Sequence, residues 1–244
     1  MKKIAIVLAA GKGVRMKSDL PKVSHPILGK PMIVWVLETL KKLGLDAVLV
    51  VVGYKASLVK KETEGFHVTY VMQKEQLGTG HAVMQAGPYV ANTDSKVLVL
   101  NGDAPFIKKE TLEHLMEAHI SKGASATVLT ANADDPSSYG RIIRADDGQV
   151  LRIVEKKDAT EEEKKIKEIN TGTYCFNAAD LFASLEEIRP ENAQKEYYLT
   201  DVISVLRKKG KAVQAFKTGS IHEVSGVNTK EELIKLEEEA KSVR

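Results

Sequence analysis

The chain has 244 residues, 43% hydrophobic and 28% charged, a balance that belongs to globular proteins and excludes a disordered one. Its 36 basic and 33 acidic groups leave a net charge of +3, too small to point to nucleic acid or an anionic membrane as partner. One cysteine, Cys175, rules out an intramolecular disulfide framework and a cysteine-built zinc site.

The longest apolar runs, Ile4 to Ala10 and Ala47 to Val52, fall far short of the ~20 residues that span a bilayer. Lys2-Lys3 ahead of Ile4 superficially resembles a secretory leader, but Lys12, Arg15 and Lys17 follow at once. The segment therefore reads as a buried first strand, with the cytoplasm as the default location. Further runs rich in Val and Ile, Val68 to Met72 and Val97 to Leu100, have the look of strands buried on both faces of a parallel sheet. Helical patterns lie between them. Ile33, Val36, Leu37 and Leu40 follow the i, i+3, i+4, i+7 rule, with Pro31 suited to the first turn and Gly44 to the stop. Ala82 to Val90 reads as a helix, and Leu112, Leu115, Met116 and Ile120 repeat the helical spacing up to Gly123. Strand and helix in alternation predict an α/β fold with a Rossmann-like, doubly wound sheet.

The second half is less regular. Ser125 to Thr130, Arg141 to Arg144, Val150 to Glu155 and Ile169 to Phe176 read as strands, spaced closely enough for an antiparallel or mixed extension of the sheet. Lys156 to Glu168 carries five positive and five negative groups, a solvated helix or loop, and Thr160-x-x-Glu163 matches a capping box. Leu199 to Lys209 and Thr229 to Lys241 read as closing helices. Neither repeats nor a Pro/Gly-rich linker divide residues 1–244, so one continuous domain is expected.

The chemistry concentrates at Leu8-Ala9-Ala10-Gly11-Lys12-Gly13-Val14-Arg15-Met16, at the carboxyl end of the first strand, where α/β sheets bind ligands. Gly11 and Gly13 let the backbone approach a phosphate, while Lys12 and Arg15 supply charge. Met16 stands where a dinucleotide fingerprint needs its third glycine, and the Gly-Lys-Ser/Thr of a Walker loop is absent. Asp103 follows the strand Val97 to Leu100 and the turn Asn101-Gly102. It suits a hard cation such as Mg²⁺, or equally a turn or helix cap. The six histidines form no zinc pattern, and His114 and His119 miss the i, i+4 spacing. His81, Cys175 and Trp35 read as structural residues.

Taken together, Leu8-x-x-Gly11-x-Gly13-x-Arg15-Met16 with Leu20-Pro21-Lys22 resembles the opening of the sugar-1-phosphate nucleotidyltransferases. Gln73-x-x-Gln76-Leu77-Gly78-Thr79-Gly80-His81-Ala82, Gly102-Asp103 and Tyr139-Gly140-Arg141-Ile142 extend the match. Ile153-Val154-Glu155, Glu168-Ile169-Asn170-Thr171-Gly172, Glu196-Tyr197-Tyr198-Leu199-Thr200-Asp201 and Gly226-Val227-Asn228 complete it. The ordered set is most similar to the uridylyltransferase domain of the bacterial bifunctional N-acetylglucosamine-1-phosphate uridylyltransferases. The resemblance implies the sheet of the nucleotide-diphospho-sugar transferases. It also implies a reaction of UTP with N-acetylglucosamine 1-phosphate, giving UDP-N-acetylglucosamine and pyrophosphate. It divides the chain into a nucleotide-binding part (about 1–123), a sugar-binding part (about 124–228) and a closing helix (about 229–241).

By the same resemblance, Arg15, Lys22 and Asp103 are the catalytic residues. Leu8, Ala10, Gly11, Gly13, Lys22, Gln73, Gln76, Gly78 and Thr79 bind the nucleotide. Gly140, Glu155, Asn170, Tyr198 and Thr200 bind the sugar, and Asp103 with Asn228 holds Mg²⁺. An attacking phosphate oxygen is already ionised at neutral pH, so positioning and charge stabilisation suffice without a general base. Two positions depart from close relatives: Asn101 where Tyr is frequent, and Val14 where Thr is frequent. The hexapeptide repeats of the family's acetyltransferase β-helix are not found, so acetyl transfer is not expected of this chain. Other sugar 1-phosphates, and a catalytically silent, ligand-sensing relative, remain alternatives.

Overall fold

Along β1 (Lys2–Ala9) the side chains alternate between two cores. Ile4 and Ile6 enter one apolar cluster, and Ala5, Val7 and Ala9 enter the other. A strand buried on both faces needs helices above and below it, and the computed structural model, which describes residues 1–91 and 93–242, supplies them. After a two-residue hairpin, β2 (Pro26–Ile27) and β3 (Lys30–Pro31), the chain runs through α1 (Met32–Lys41), β4 (Ala47–Val52), α2 (Ala56–Glu62), β5 (Thr69–Met72), α3 (Thr79–Met84) and α4 (Gly87–Val90). It continues through β6 (Ser95–Asn101), α5 (Lys109–Ser121), β7 (Ala126–Asn132), β8 (Arg141–Arg144), β9 (Val150–Val154), α6 (Glu161–Lys164) and β10 (Glu168–Asn177). α7 (Ala178–Leu185), α8 (Asp201–Lys208), β11 (Val213–Lys217), α9 (Ile221–Val224) and α10 (Lys230–Ser242) close it.

Among the described residues the main sheet has nine strands, with the path β11-β7-β10-β6-β1-β4-β5 and the β8–β9 pair joined through β10. β1 is parallel to both β4 and β6, β4 to β5 and β7 to β11. β10 is antiparallel to β6, β7 and β8, which makes the sheet mixed as expected. Because β4 and β5 extend the sheet to one side of β1 and β6 lies on the other, the strand order reverses between β1 and β6. Ligands bind at the carboxyl ends of strands at such a switch point. Helices α3, α7 and α8 pack one face, and α1 and α5 the other.

Most expected elements are present, and the differences have local causes. The Ala82 to Val90 helix is two helices, α3 and α4, interrupted before Pro88, whose ring cannot continue the ladder. β10 bulges between Asn170 and Tyr174, so residues 171–173 leave the ladder with β7. Thr160 and Glu163 form the expected capping box, and α6 is a single solvated turn with Lys164–Glu161 and Lys165–Glu162 ion pairs. Trp35 packs edge-on to Phe106 and donates its indole N–H to the Ile27 carbonyl at 3.0 Å. Cys175 is fully buried, and burial pushes its thiol up to about 12, a structural rather than reactive group. None of the described helices is long and apolar enough to cross a membrane.

Candidate functional site

Two confluent clefts open at the switch point. One, of about 260 Å³, is bordered by Leu8, Ala10, Gly11, Gln73, Gln76 and Gly78. The other, of about 300 Å³, is bordered by Arg15, Gly140, Glu155, Asn170, Thr200 and Asn228. Leu8, Lys22, Thr79, Asn101 and Asp103 belong to both and form the saddle between them.

Sheet geometry builds the saddle. Leu8 pairs with Asn101 across β1 and β6, and the Gly102 amide donates to the Leu8 carbonyl at 2.9 Å, so Asp103 emerges beside the glycine turn. Gly13, at φ +68°, closes that turn: a Cβ there would lie 2.7 Å from Lys22 Cβ. The Lys22 amide donates to the Gly11 carbonyl at 3.3 Å, which carries the lysine back over the turn. Gly13 itself borders neither cleft and acts by shaping the loop.

A charged cluster sits on the saddle. The Lys22 ammonium is ion-paired with Asp103 Oδ2 and donates to Asn228 Oδ1 at 2.8 Å, and the Arg15 guanidinium donates to the same oxygen at 2.8 Å. Residues separated by more than 200 positions therefore meet through one amide oxygen. Asp103 Oδ1 is buried without a hydrogen-bond partner, and a Cβ on Gly226 would stand 3.2 Å from it. Asp103 Oδ1 is thus a hard-oxygen donor open to a cation, while the Asn228 oxygen has both lone pairs taken and would serve one only after Lys22 or Arg15 turns away. Among the described residues no three His, Cys, Asp or Glu side chains cluster as a metal cage. A Mg²⁺ ion needs none, since it retains waters and takes ligands from substrate phosphates. Lys12 stands apart from the cluster, its ammonium 5.4 Å from the Tyr54 ring centroid.

In the cleft bordered by Gly11 and Gln76, Gln73 is 3% exposed, and its amide donates to the Gly78 carbonyl at 3.1 Å and lies 3.1 Å from His81 Nδ1. Gln76 donates to the Gln73 carbonyl at 3.0 Å. His81 bridges Gln73 and Gln85, the structural role expected of it. Gly78, at φ +110° and ψ 175°, crosses the backbone of Tyr197: a Cβ would lie 2.6 Å from that residue's carbonyl oxygen. The Gly80 amide donates to the same carbonyl at 2.7 Å, and Thr79 Oγ1 accepts the Leu199 amide at 3.0 Å. These contacts tie the loop at Gly78–Gly80 to the segment that carries Thr200.

On the other side, the Thr200 hydroxyl donates to Glu155 at 3.2 Å, and burial raises the Glu155 carboxyl above the usual range. Asn170 donates to the Tyr174 hydroxyl at 2.8 Å and accepts the Gly172 amide at 3.1 Å, so the β10 bulge presents a fixed amide to the cleft. The backbone amide of Asn170 donates to the Gly140 carbonyl at 3.0 Å. Tyr198 is buried and borders neither cleft. Glu196, Ser138 and Tyr139 also border the clefts, although sequence reasoning assigns them no role there. Their adjacency to Gly140 and Tyr197, within or next to matching motifs, was the available signal.

The model of the nucleotidyl transferase family matches residues 4–221. The chain is 50% identical over 228 residues to the bifunctional protein GlmU of Geobacillus thermodenitrificans, covering 93% of this chain and 50% of that protein. It is 52% identical over 227 residues to that of Bacillus velezensis, again covering 93% and 50%, and 47% identical over 237 residues to that of Bacillus subtilis, covering 97% and 52%. The chain thus spans about half the length of the relatives it matches. Among solved structures, a UDP-glucose pyrophosphorylase complexed with UDP-glucose superposes with a TM-score of 0.79 at 22% identity, over the whole of both chains. A putative glucose-1-phosphate thymidylyltransferase from Bacillus anthracis gives 0.80 at 22% identity, over 99% of this chain and 96% of that one.

Proposed function

The chain belongs to the nucleotidyl transferase family, and on that premise we propose that it makes UDP-N-acetylglucosamine and pyrophosphate from UTP and N-acetylglucosamine 1-phosphate. The observation that carries this is the convergence of Arg15, Lys22, Asp103 and Asn228 on the saddle between two clefts. A phosphate oxygen of the sugar substrate attacks the α-phosphorus of UTP. The bond from that phosphorus to the bridging oxygen breaks, and pyrophosphate leaves. No proton has to be removed from the nucleophile, so the protein's work is to hold two anions in line and to stabilise charge as it shifts to the leaving group.

Lys22 spans the saddle and can turn from Asp103 toward the phosphates, and Arg15 stands at its outer edge. Asp103 and Asn228 are the residues that would hold Mg²⁺, which when bound neutralises phosphate charge. Gln73, Gln76 and Gly78 offer amide donors and acceptors with a flat backbone wall for a pyrimidine. Glu155, Asn170 and Thr200 offer fixed polar partners for sugar hydroxyls and an acetamide. The half-length identity to the GlmU proteins supports the choice of reaction within the family.

A silent, ligand-sensing relative would have no need of four charged and polar groups converging on the saddle. A different sugar 1-phosphate is the other reading, favoured by Asn101, which stands on the saddle against Gly172. Both are decided by pyrophosphate release with UTP, Mg²⁺ and a panel of sugar 1-phosphates. N-acetylglucosamine 1-phosphate should be turned over best. A higher kcat/KM for glucose 1-phosphate would move the assignment to that sugar, and no release with any member would overturn it.

A further inference from the structure

Thr229 caps α10, its hydroxyl accepting the Glu232 amide at 3.1 Å. In a capping box, the Glu at this position turns back to the amide of the cap residue itself. Glu232 reaches one residue further, and its Oε2 accepts the backbone amide of Asn228 at 2.6 Å. Its other oxygen, Oε1, accepts the Ser138 hydroxyl at 3.1 Å. Ser138 lies in the Pro136–Tyr139 turn that leads to Gly140 at the sugar-side cleft, and Asn228 borders the same cleft. One carboxylate thus ties together two segments about 90 residues apart in sequence, each bordering the same cleft. Glu232 itself borders neither cleft.

We infer that Glu232 is a positioning residue, which sets the orientation of Asn228 and couples it to the sugar-side turn at Ser138–Gly140. The inference rests on the reaction proposed above for the meaning of the two clefts. Segment 226–228 is otherwise anchored by the Val227 amide, which donates to the Asp103 carbonyl at 3.1 Å, and by the buried Val227 side chain. Neither anchor engages the Asn228 amide, so without Glu232 only Arg15 and Lys22 restrain the backbone torsion that aims the Asn228 side-chain oxygen, which then has more freedom. A charge-assisted bond to the amide removes this freedom.

The test compares the parent chain with Glu232→Ala, Glu232→Gln and Ser138→Ala. Amide hydrogen exchange over residues 137–140 and 226–228 needs no ligand. In Glu232→Ala, both segments should exchange about five-fold faster or more, while residues 236–240 of α10 keep the parent rate. Mn²⁺ binding in the presence of UTP, read by electron paramagnetic resonance, should weaken about five-fold. KM for the sugar 1-phosphate should rise about five-fold, with kcat changed less than three-fold. Glu232→Gln should recover all of these to within two-fold, since its carbonyl accepts from Asn228 and its amide stays beside Ser138, whose hydroxyl can turn to accept. Ser138→Ala should speed exchange only at 137–140 and raise only KM for the sugar phosphate. Parent exchange rates in Glu232→Ala, or a Glu232→Gln protein as impaired as the alanine variant, would overturn the inference. A parent protein with no turnover would instead sink the proposed reaction, while exchange would still decide the role of Glu232.

Discussion

Two glycines, Gly11 and Gly78, in the cleft proposed to take the nucleotide separate a steric from a binding role. Gly78 is held at φ +110° and ψ 175°, a region almost closed to other residues, so alanine there costs about 1–3 kcal/mol in backbone strain. Its methyl would also lie 2.6 Å from the Tyr197 carbonyl oxygen and 2.9 Å from the Tyr197 amide, both backbone atoms that cannot rotate aside. Reaching an ordinary contact of 3.4 Å requires a shift of about 0.8 Å, and overpacking of this kind costs about another 1–3 kcal/mol. A total near 4 kcal/mol corresponds to a fall in Tm of roughly 8–16 °C for a chain of this size. Gly11 has no positive φ, and a methyl added there would meet no other atom within 4 Å, only the open cleft. Gly11→Ala should leave Tm within about 2 °C while weakening UTP binding about ten-fold or more, because the methyl blocks the approach of phosphate to backbone. Gly78→Ala should lose both stability and UTP affinity. Differential scanning calorimetry and isothermal titration with UTP and Mg²⁺ measure the two effects. A Gly78→Ala protein that melts with the parent, or a Gly11→Ala protein that binds UTP like it, would refute the reasoning.

Asp103→Asn retains the shape of the saddle but removes the charge that faces Lys22. In the pyrophosphate-release assay kcat should drop about 10³-fold with the circular dichroism spectrum unchanged, and parent-like activity would contradict the assignment. Lys22→Met keeps the apolar stem and removes the ammonium, and single-turnover kinetics should show the chemical step slowed about 10²–10³-fold. Burial lowers the His119 imidazole to about 4, against the opposing bond from Asn177. The unfolded chain therefore takes up a proton that the folded chain refuses, and stability intact above about pH 6.5 is lost as pH falls toward 4. Between about pH 7 and 4.5 this single group contributes roughly 2.5 kcal/mol. Urea titrations of His119→Gln should show a correspondingly shallower acid loss than the parent, and identical slopes would remove His119 from the explanation.

The parts of the molecule legible in the sequence are those where burial on both faces leaves a continuous apolar run. β1, β4 and β6 are such strands, and their carboxyl ends place the glycine turn and Asp103. β11 was not legible: Val-Gln-Ala-Phe-Lys is five residues long, half-buried at the sheet edge and without a clear period. Nor was α7 (Ala178–Leu185), which follows the strand read to Phe176: it is eight residues long, and Asn177 at its start makes no side-chain cap. At the site, the glycine turn, Lys22, Gln73, Gln76 and Asp103 could be placed because charged or amide residues flank recognisable punctuation. Ser138 and Glu232 could not, since they meet across 94 positions and neither belongs to a motif with chemistry of its own. Tyr198 shows the converse, a residue within a matching motif that packs inward instead of facing the cleft.

A crystal structure with UDP-N-acetylglucosamine and Mn²⁺ tests the two-cleft arrangement most directly. The uracil should lie against Gln73 and Gly78 and the sugar between Glu155 and Asn170. An anomalous manganese peak should fall within coordination distance of Asp103 and Asn228, with Lys22 turned away from the carboxylate. A nucleotide-sugar bound away from the β1–β6 switch point, or a manganese peak that touches neither residue, would contradict it.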